Sequence, residues 1–126
     1  GGPGIPEWGL IPIPKKLAKS GVKDMVRISD ARISGTAFGT VVVHVTPESA
    51  IGGPIAAVQN GDLISIDVSE RKLDILVSHS EIERRLKESK YSVQTPNRGY
   101  RWLYSRHILQ ADKGCDFDFL RPDYKN

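Results

Sequence analysis

The sequence predicts an α+β, β-rich fold, a compact mixed β-barrel with peripheral helices. Five or so short runs have strand character. The helical patterns do not alternate regularly with them, which disfavours a doubly wound parallel sheet. The length, 126 residues, suits one domain with its own core rather than two.

The opening GGPGIPEWGLIP places four glycines and three prolines in a dozen residues, a composition that starts neither a helix nor a central strand. Pro14 then stands at the first turn of a short helix, KKLAKS, stopped by Gly21. Met25–Ile28 reads as a short strand, and Ser29–Gly39 as a loop of small and polar residues. Thr40–Val45 is β-branched and apolar on both faces, which predicts a buried strand. Pro47–Ala50 resembles one helical turn, ended by Gly52-Gly53-Pro54. Ile55–Val58 is a further strand candidate before the Asn60-Gly61-Asp62 turn. Leu63–Val68 alternates as a half-buried strand and pairs with Lys72–Val77 across Ser69-Glu70-Arg71. Ser80, with Glu83 three residues on, predicts a capped helix to about Ser89. Tyr100–Leu109 has helical spacing, and the Asp/Phe-rich tail after it is irregular.

Several function classes are excluded. Eighteen Lys and Arg against fifteen Asp and Glu leave a net charge of +3, too small and too scattered for nucleic acid. The run Lys15, Lys16, Lys19 and Lys23 has no interleaved aromatics and reads as a solvated helix face. No stretch approaches the ~20 apolar residues of a membrane span, and there is no secretory signal pattern. The single cysteine, Cys115, precludes an internal disulfide and fits a reducing, cytoplasmic setting. Phosphate-binding glycine loops, Cys/His metal spacings and a Gly-x-Ser-x-Gly elbow are all missing. Of the three histidines, His44 sits within an apolar strand pattern and reads as a hydrogen-bonded core histidine. His79 and His107 read as surface or helix positions.

Two features invite chemistry. Six of the eight residues of Ser29–Thr36 are polar or glycine, between two apolar strands. Ser34 and Thr36, two apart around Gly35, face one cleft if the backbone is extended, and glycine admits close approach of a ligand. Asp30 and Arg32 are placed to form an ion pair within the loop. The same residues also make an ordinary turn held by hydroxyl–backbone bonds, and a serine without a base is a poor nucleophile or base. Glu7, a lone carboxylate among glycine, proline and apolar residues, is either an exposed loop acid or a hard oxygen ligand of the kind Mg²⁺ takes.

Four motifs stand in order: Gly2–Glu7 (GPGIPE), Ser29–Gly35 (SDARISG), His44–Pro54 (HVTPESAIGGP) and Gly61–Asp67 (GDLISID). In this order and spacing they resemble the C-terminal domain of the dihydroxy-acid dehydratase and aldonic-acid dehydratase family. The likeness runs along nearly the whole chain, most strongly residues 2–86. Ser-Asp-Ala-Arg with a following Gly-Thr, together with Pro-Ile-Pro-Lys-Lys-Leu upstream, looks like the sugar-acid branch, arabinonate-type dehydratases above all. The end of the chain, from Arg98-Gly99-Tyr100 to Phe117–Leu120, has the same likeness.

The resemblance implies a swivelling β/β/α barrel and a hydro-lyase that converts a sugar acid to a 2-keto-3-deoxy acid. It implies Ser34 as the general base, acting as an alkoxide on the C2 proton, Thr36 as a hydroxyl supporting it near the substrate, and Glu7 as a Mg²⁺ ligand. It also implies a [2Fe–2S] cluster in the full-length enzyme, whose thiolate ligands are absent from this chain; Cys115 is then an ordinary tail cysteine. Residues 1–24 become a lead and short helix continuing from a missing N-terminal iron–sulfur domain, and residues 25–126 the C-terminal barrel domain with a helical tail. The expected partners are the sugar-acid substrate, that N-terminal domain and further copies in a dimer or tetramer, with neither nucleic acid nor membrane. On this reading the chain folds alone but is inactive alone. The alternatives are the dihydroxy-acid dehydratase of branched-chain amino-acid synthesis and a free-standing, non-catalytic ligand-binding barrel.

Overall fold

The structure, a computed structural model, describes residues 7–35, 38–89, 94 and 96–122. Most of the Gly2–Glu7 motif, and Thr36, lie outside the described residues.

The short helix α1 spans Lys15–Lys19, with Pro14 immediately before it in an extended conformation rather than inside its first turn. Strands β1 (Arg27–Ile28) and β2 (Val41–Val42) pair in parallel, Arg27 opposite Val41 and Ile28 opposite Val42. A parallel pair needs a crossover of a dozen or more residues. Here the crossover is the Ser29–Thr40 loop, so the segment of small and polar residues begins at the carboxyl end of β1. Strands β3 (Ile64–Asp67) and β4 (Lys72–Ile75) form a separate antiparallel hairpin. Its turn closes through Asp67, whose side chain accepts from the Glu70 amide, and through Arg71 at φ 54°.

Three sequence expectations are corrected. The strand predicted over Thr40–Val45 is limited to Val41–Val42, because His44 takes the left-handed φ of 57° and breaks the extended run. Ile55–Val58 is no strand: Pro54–Ala57 is a 3₁₀ turn with proline in its first position, where φ is already set for it. The helix α2 (His79–Glu88) is capped by Ser78, which accepts from the Glu81 amide, rather than by Ser80 with Glu83. The residue that accepts must precede the helix with extended dihedrals, and Ser80 is already helical.

Helix α2 packs on the Pro54–Ala57 turn, where Arg85 donates to the Ala57 carbonyl at 3.2 Å and to Asp62 at 2.6 Å. Ile28, Val45, Ile55, Ile64, Leu73 and Ile75 line an apolar cavity of about 120 Å³ where the two sheets meet. Helix α3 (Gly99–His107) directs Tyr104 inward, and the chain then returns past it, with Ile108 bridging to Phe117. Among the described residues the buried apolar side chains are Ala31, Ala57 and Tyr104, while Arg27, Asp30, Arg32 and Glu48 are equally buried. The alternating hairpin strand expected to be half-buried is open: Leu63 is 69% and Val68 84% exposed. No helix of the described residues is long and apolar enough to cross a membrane.

Candidate functional site

The crossover loop after β1 is anchored residue by residue. Ser29 Oγ accepts from the Ala31 amide at 3.0 Å. The expected Asp30–Arg32 ion pair is not formed; each turns to a different segment. Asp30 accepts from both the amide (2.6 Å) and the hydroxyl of Ser49. Burial pushes the Asp30 carboxyl up and is the largest single influence, the two Ser49 bonds pull it down, and the group lies below its ordinary range. Arg32 meets Glu48 at 2.9 Å and the Leu109 carbonyl at 2.6 Å, with its guanidinium 5.8 Å from the centre of the Tyr104 ring. Gln110 in turn accepts from the Glu48 amide at 2.8 Å. Charge alternation in the loop therefore ties it to two other parts of the chain instead of closing on itself.

The extended lead is fastened to this loop by the Trp8 amide, which donates to the Arg32 carbonyl at 2.8 Å. That bond sets Glu7 beside Ser34, and the Ser34 hydroxyl donates to Glu7 Oε1. Gly35 makes the approach possible: a Cβ there would lie 2.7 Å from Leu10 Cδ2 and 3.0 Å from the Gly9 carbonyl oxygen. Glu7, Ser34, Arg32, Ile33, His44, Tyr104, Ile108 and Cys115 line one open cleft of about 290 Å³.

Two residues in this cleft were read otherwise in the sequence. His44 is exposed, not a core histidine, and its Nε2 lies 2.9 Å from the Ile33 amide nitrogen and 3.0 Å from the Ile33 carbonyl oxygen. Cys115, expected as an ordinary tail residue, stands at the cleft wall at φ 54°. His79 and His107 are where expected, one on the surface beside Glu83 and one at the end of α3 against Asp118. Tyr104, which no motif argument flagged for a role, lines the cleft and is buried, and Glu48, buried outside the lining, holds Arg32. Among the described residues neither Glu48 Oε2 nor the Tyr104 hydroxyl has a hydrogen-bond partner. Burial pushes the Tyr104 phenol up, so it stays a donor at neutral pH.

The donor set fits one of the two groups the resemblance implies. Glu7 presents a single hard carboxylate to the cleft, and among the described residues no three His, Cys, Asp or Glu side chains gather to hold an ion. Glu7 thus fits as one contributor to a Mg²⁺ shell completed from elsewhere, in keeping with an ion that uses one or two carboxylates. An iron–sulfur cluster does not fit this chain, which has one thiol where such clusters take several.

The chain is 50% identical over 121 residues to a 6-deoxy-6-sulfo-D-gluconate dehydratase of Pseudomonas putida, covering 96% of this chain and 21% of that protein. It is likewise 50% identical over 121 residues, with the same coverage, to an L-arabinonate dehydratase of Rhizobium leguminosarum bv. trifolii. A dihydroxy-acid dehydratase of Thermodesulfovibrio yellowstonii is 44% identical over 116 residues, 91% of this chain and 21% of that one. The chain spans about a fifth of the length of the curated relatives it matches. The family model described as dihydroxy-acid/6-phosphogluconate dehydratase C-terminal matches residues 1–115, and the chain belongs to that family.

Proposed function

We propose that this chain is the catalytic-base domain of a hydro-lyase that dehydrates a sugar acid to a 2-keto-3-deoxy acid. The observation that carries the reading is the Ser34 hydroxyl donating to the Glu7 carboxylate in an open cleft walled by Arg32 and Tyr104. Ser34 Oγ, acting as the alkoxide after losing its own proton, takes the proton from C2 of the substrate and becomes the hydroxyl again. The electron pair of that C–H bond forms the C2–C3 double bond as the 3-hydroxyl departs, and the resulting enol becomes the 2-keto acid. Glu7 holds the Ser34 hydroxyl in place until substrate arrives and contributes one ligand to Mg²⁺. When bound, that ion supplies positive charge that lowers the cost of a serine alkoxide and of charge on the substrate carboxylate. Thr36 would stand beside Ser34 as a supporting hydroxyl.

The remaining ligands and the Lewis acid for the leaving hydroxyl belong, on this reading, to an N-terminal domain, and the chain alone is inactive. The large apolar side chains left open on β3 and on the flanks of the hairpin, Leu63, Val68 and Leu76, support a covering partner of that kind. The two short sheets would be segments of one β/β/α barrel. A dimer or tetramer of the whole enzyme belongs to the same proposal.

In the full-length enzyme, Ser34→Ala should lower turnover by about 10²-fold or more while leaving the circular dichroism and the cluster absorbance unchanged. Near-normal turnover would remove the base assignment. The 44% identity to a dihydroxy-acid dehydratase favours one second reading, in which the substrate is a branched dihydroxy acid. Parallel assays on an aldonate and a branched 2,3-dihydroxy acid separate them, and a preference for the branched acid refutes the sugar-acid choice.

A further inference from the structure

We infer that His44 is a positioning residue that holds Ser34 in register by a hydrogen bond from its Nε2 to the Ile33 peptide groups, the amide or the carbonyl according to tautomer. The inference rests on the reading of Ser34 as the base.

Strand β2 ends at Val42, and the pairing with the segment after β1 thins out beyond it. The Ser29 amide still donates to the Val42 carbonyl at 2.9 Å, and the His44 amide reaches the Ala31 carbonyl only at 3.4 Å. At His44 the backbone turns into the left-handed region, φ 57°, which is unfavourable for a residue with a Cβ and is adopted more often by Asn, Asp and His than by others. The bend lets the imidazole take the place that the next backbone group of the strand would have had. Its Nε2 lies 2.9 Å from the Ile33 nitrogen and 3.0 Å from the Ile33 oxygen. A bare Nε2 accepts from the amide, and an Nε2–H donates to the carbonyl, so one bond to Ile33 is available in either tautomer.

The position of this grip in the loop gives it a role distinct from stability. Asp30 is fixed by Ser49, and Arg32 by Glu48 and Leu109. These buried bonds secure the loop up to Arg32. His44, exposed and bound one residue further on, is the last anchor before Ser34, whose neighbour Gly35 has no side chain to hold it. Its ring also lines the cleft that contains Ser34 and Glu7. Removing the ring frees the Ile33 peptide and with it the direction of the Ser34 Oγ, while the buried anchors stay in place. Misplacement of a reacting group by about 1 Å is enough for about a hundredfold loss of rate.

The test uses the full-length holoenzyme with Ser34→Ala, His44→Leu and His44→Gln. Leucine keeps bulk and loses the grip; the glutamine amide carries an acceptor and a donor at a similar reach. His44→Leu is expected to lower kcat by about 10- to 100-fold with KM within about twofold, and His44→Gln to recover most of the loss. A kcat for His44→Leu within about twofold of wild type overturns the inference, as does a His44→Gln variant as slow as the leucine one. If His44→Leu does not fold, the glutamine variant alone decides: near-normal kcat supports the grip, and a loss of tenfold or more overturns it. Normal turnover in Ser34→Ala would defeat the base assignment itself, whereas a dead Ser34→Ala with an unaffected His44→Leu defeats only the role of His44.

Discussion

The hydroxyl of Ser34 donates to the carboxylate of Glu7 across 27 residues of sequence. The contact joins the extended lead to the crossover loop of a parallel strand pair, and the Trp8–Arg32 backbone bond beside it sets the register. Two side chains of different origin thereby meet in one cleft, and their separate removal should have separable effects.

In the full-length enzyme Ser34→Ala should reduce kcat by about 10²- to 10⁴-fold, the usual range for a lost general base. Glu7→Gln keeps a hydrogen-bond acceptor but loses the charge. The Mg²⁺ concentration for half-maximal activity should rise by about tenfold or more, equivalent to about 1.4 kcal/mol. A Mg²⁺ titration of both variants checks the pair, and an unchanged Mg²⁺ requirement in Glu7→Gln would remove it from the ligand set.

Arg32 and Glu48 are both buried, at 7% and 1% exposure, and are bonded to each other. Glu48→Ala leaves the guanidinium without its counter-charge in the interior. A loss of about 3–5 kcal/mol is expected in a urea melt, and a loss below about 1 kcal/mol would show that Leu109 and solvent suffice for Arg32.

Gly53 cannot carry a side chain in this backbone, because a Cβ there would lie 1.8 Å from the Pro47 carbonyl oxygen. The clash is with backbone and cannot be relieved by a rotamer change. Gly53→Ala should cost about 3 kcal/mol or more, read as a lowered thermal midpoint or loss of soluble protein. Gly35→Ala meets chiefly the flexible end of Leu10 and should be milder in stability, while loosening the lead from the loop.

Acid should weaken the α2 region in a defined window. The Arg84 and Arg85 side chains hold the Glu81 carboxyl at about 2 instead of its ordinary 4.5, and Arg85 with the Gln59 amide holds Asp62 low as well. Folded values below the unfolded ones mean that the unfolded chain binds more protons in between. The contribution is complete above about pH 4.5 and is lost as pH falls toward 2. Thermal melts should be level from pH 7 to about 5.5 and decline below 4.5, and Glu81→Gln should shrink that decline. Salt should also reduce it, since Glu81 and Arg84 face solvent.

Ser78→Ala should lower stability by about 1 kcal/mol, as loss of a helix cap does. Ser80→Ala, at a helical position, should change it by less than about 0.5 kcal/mol. Equal losses in the two melts would contradict the observed helix start.

The sequence alone placed the β3–β4 hairpin and its turn, because strict alternation bounded by polar turn residues is local information. It also singled out Ser34 and Glu7, through motifs whose order and spacing need no coordinates, and the same motifs carry the family. The partners of the loop were not legible. Arg32 finds Glu48 sixteen residues on and Leu109 seventy-seven on, and Asp30 finds Ser49 nineteen on. Within the loop the two opposite charges looked complementary to each other, and only the tertiary packing showed that Arg32 meets Glu48 and Leu109 while Asp30 meets the Ser49 amide and hydroxyl. His44 was hidden for a related reason. A β-branched, apolar run predicts extended backbone, whereas the turn to positive φ follows from where the crossover loop runs and which of its amides lacks a partner. What a residue can do was written in its chemistry and spacing. What it meets was decided by tertiary structure, since buried charges and backbone donors take partners from whichever segment the chain brings within hydrogen-bond reach.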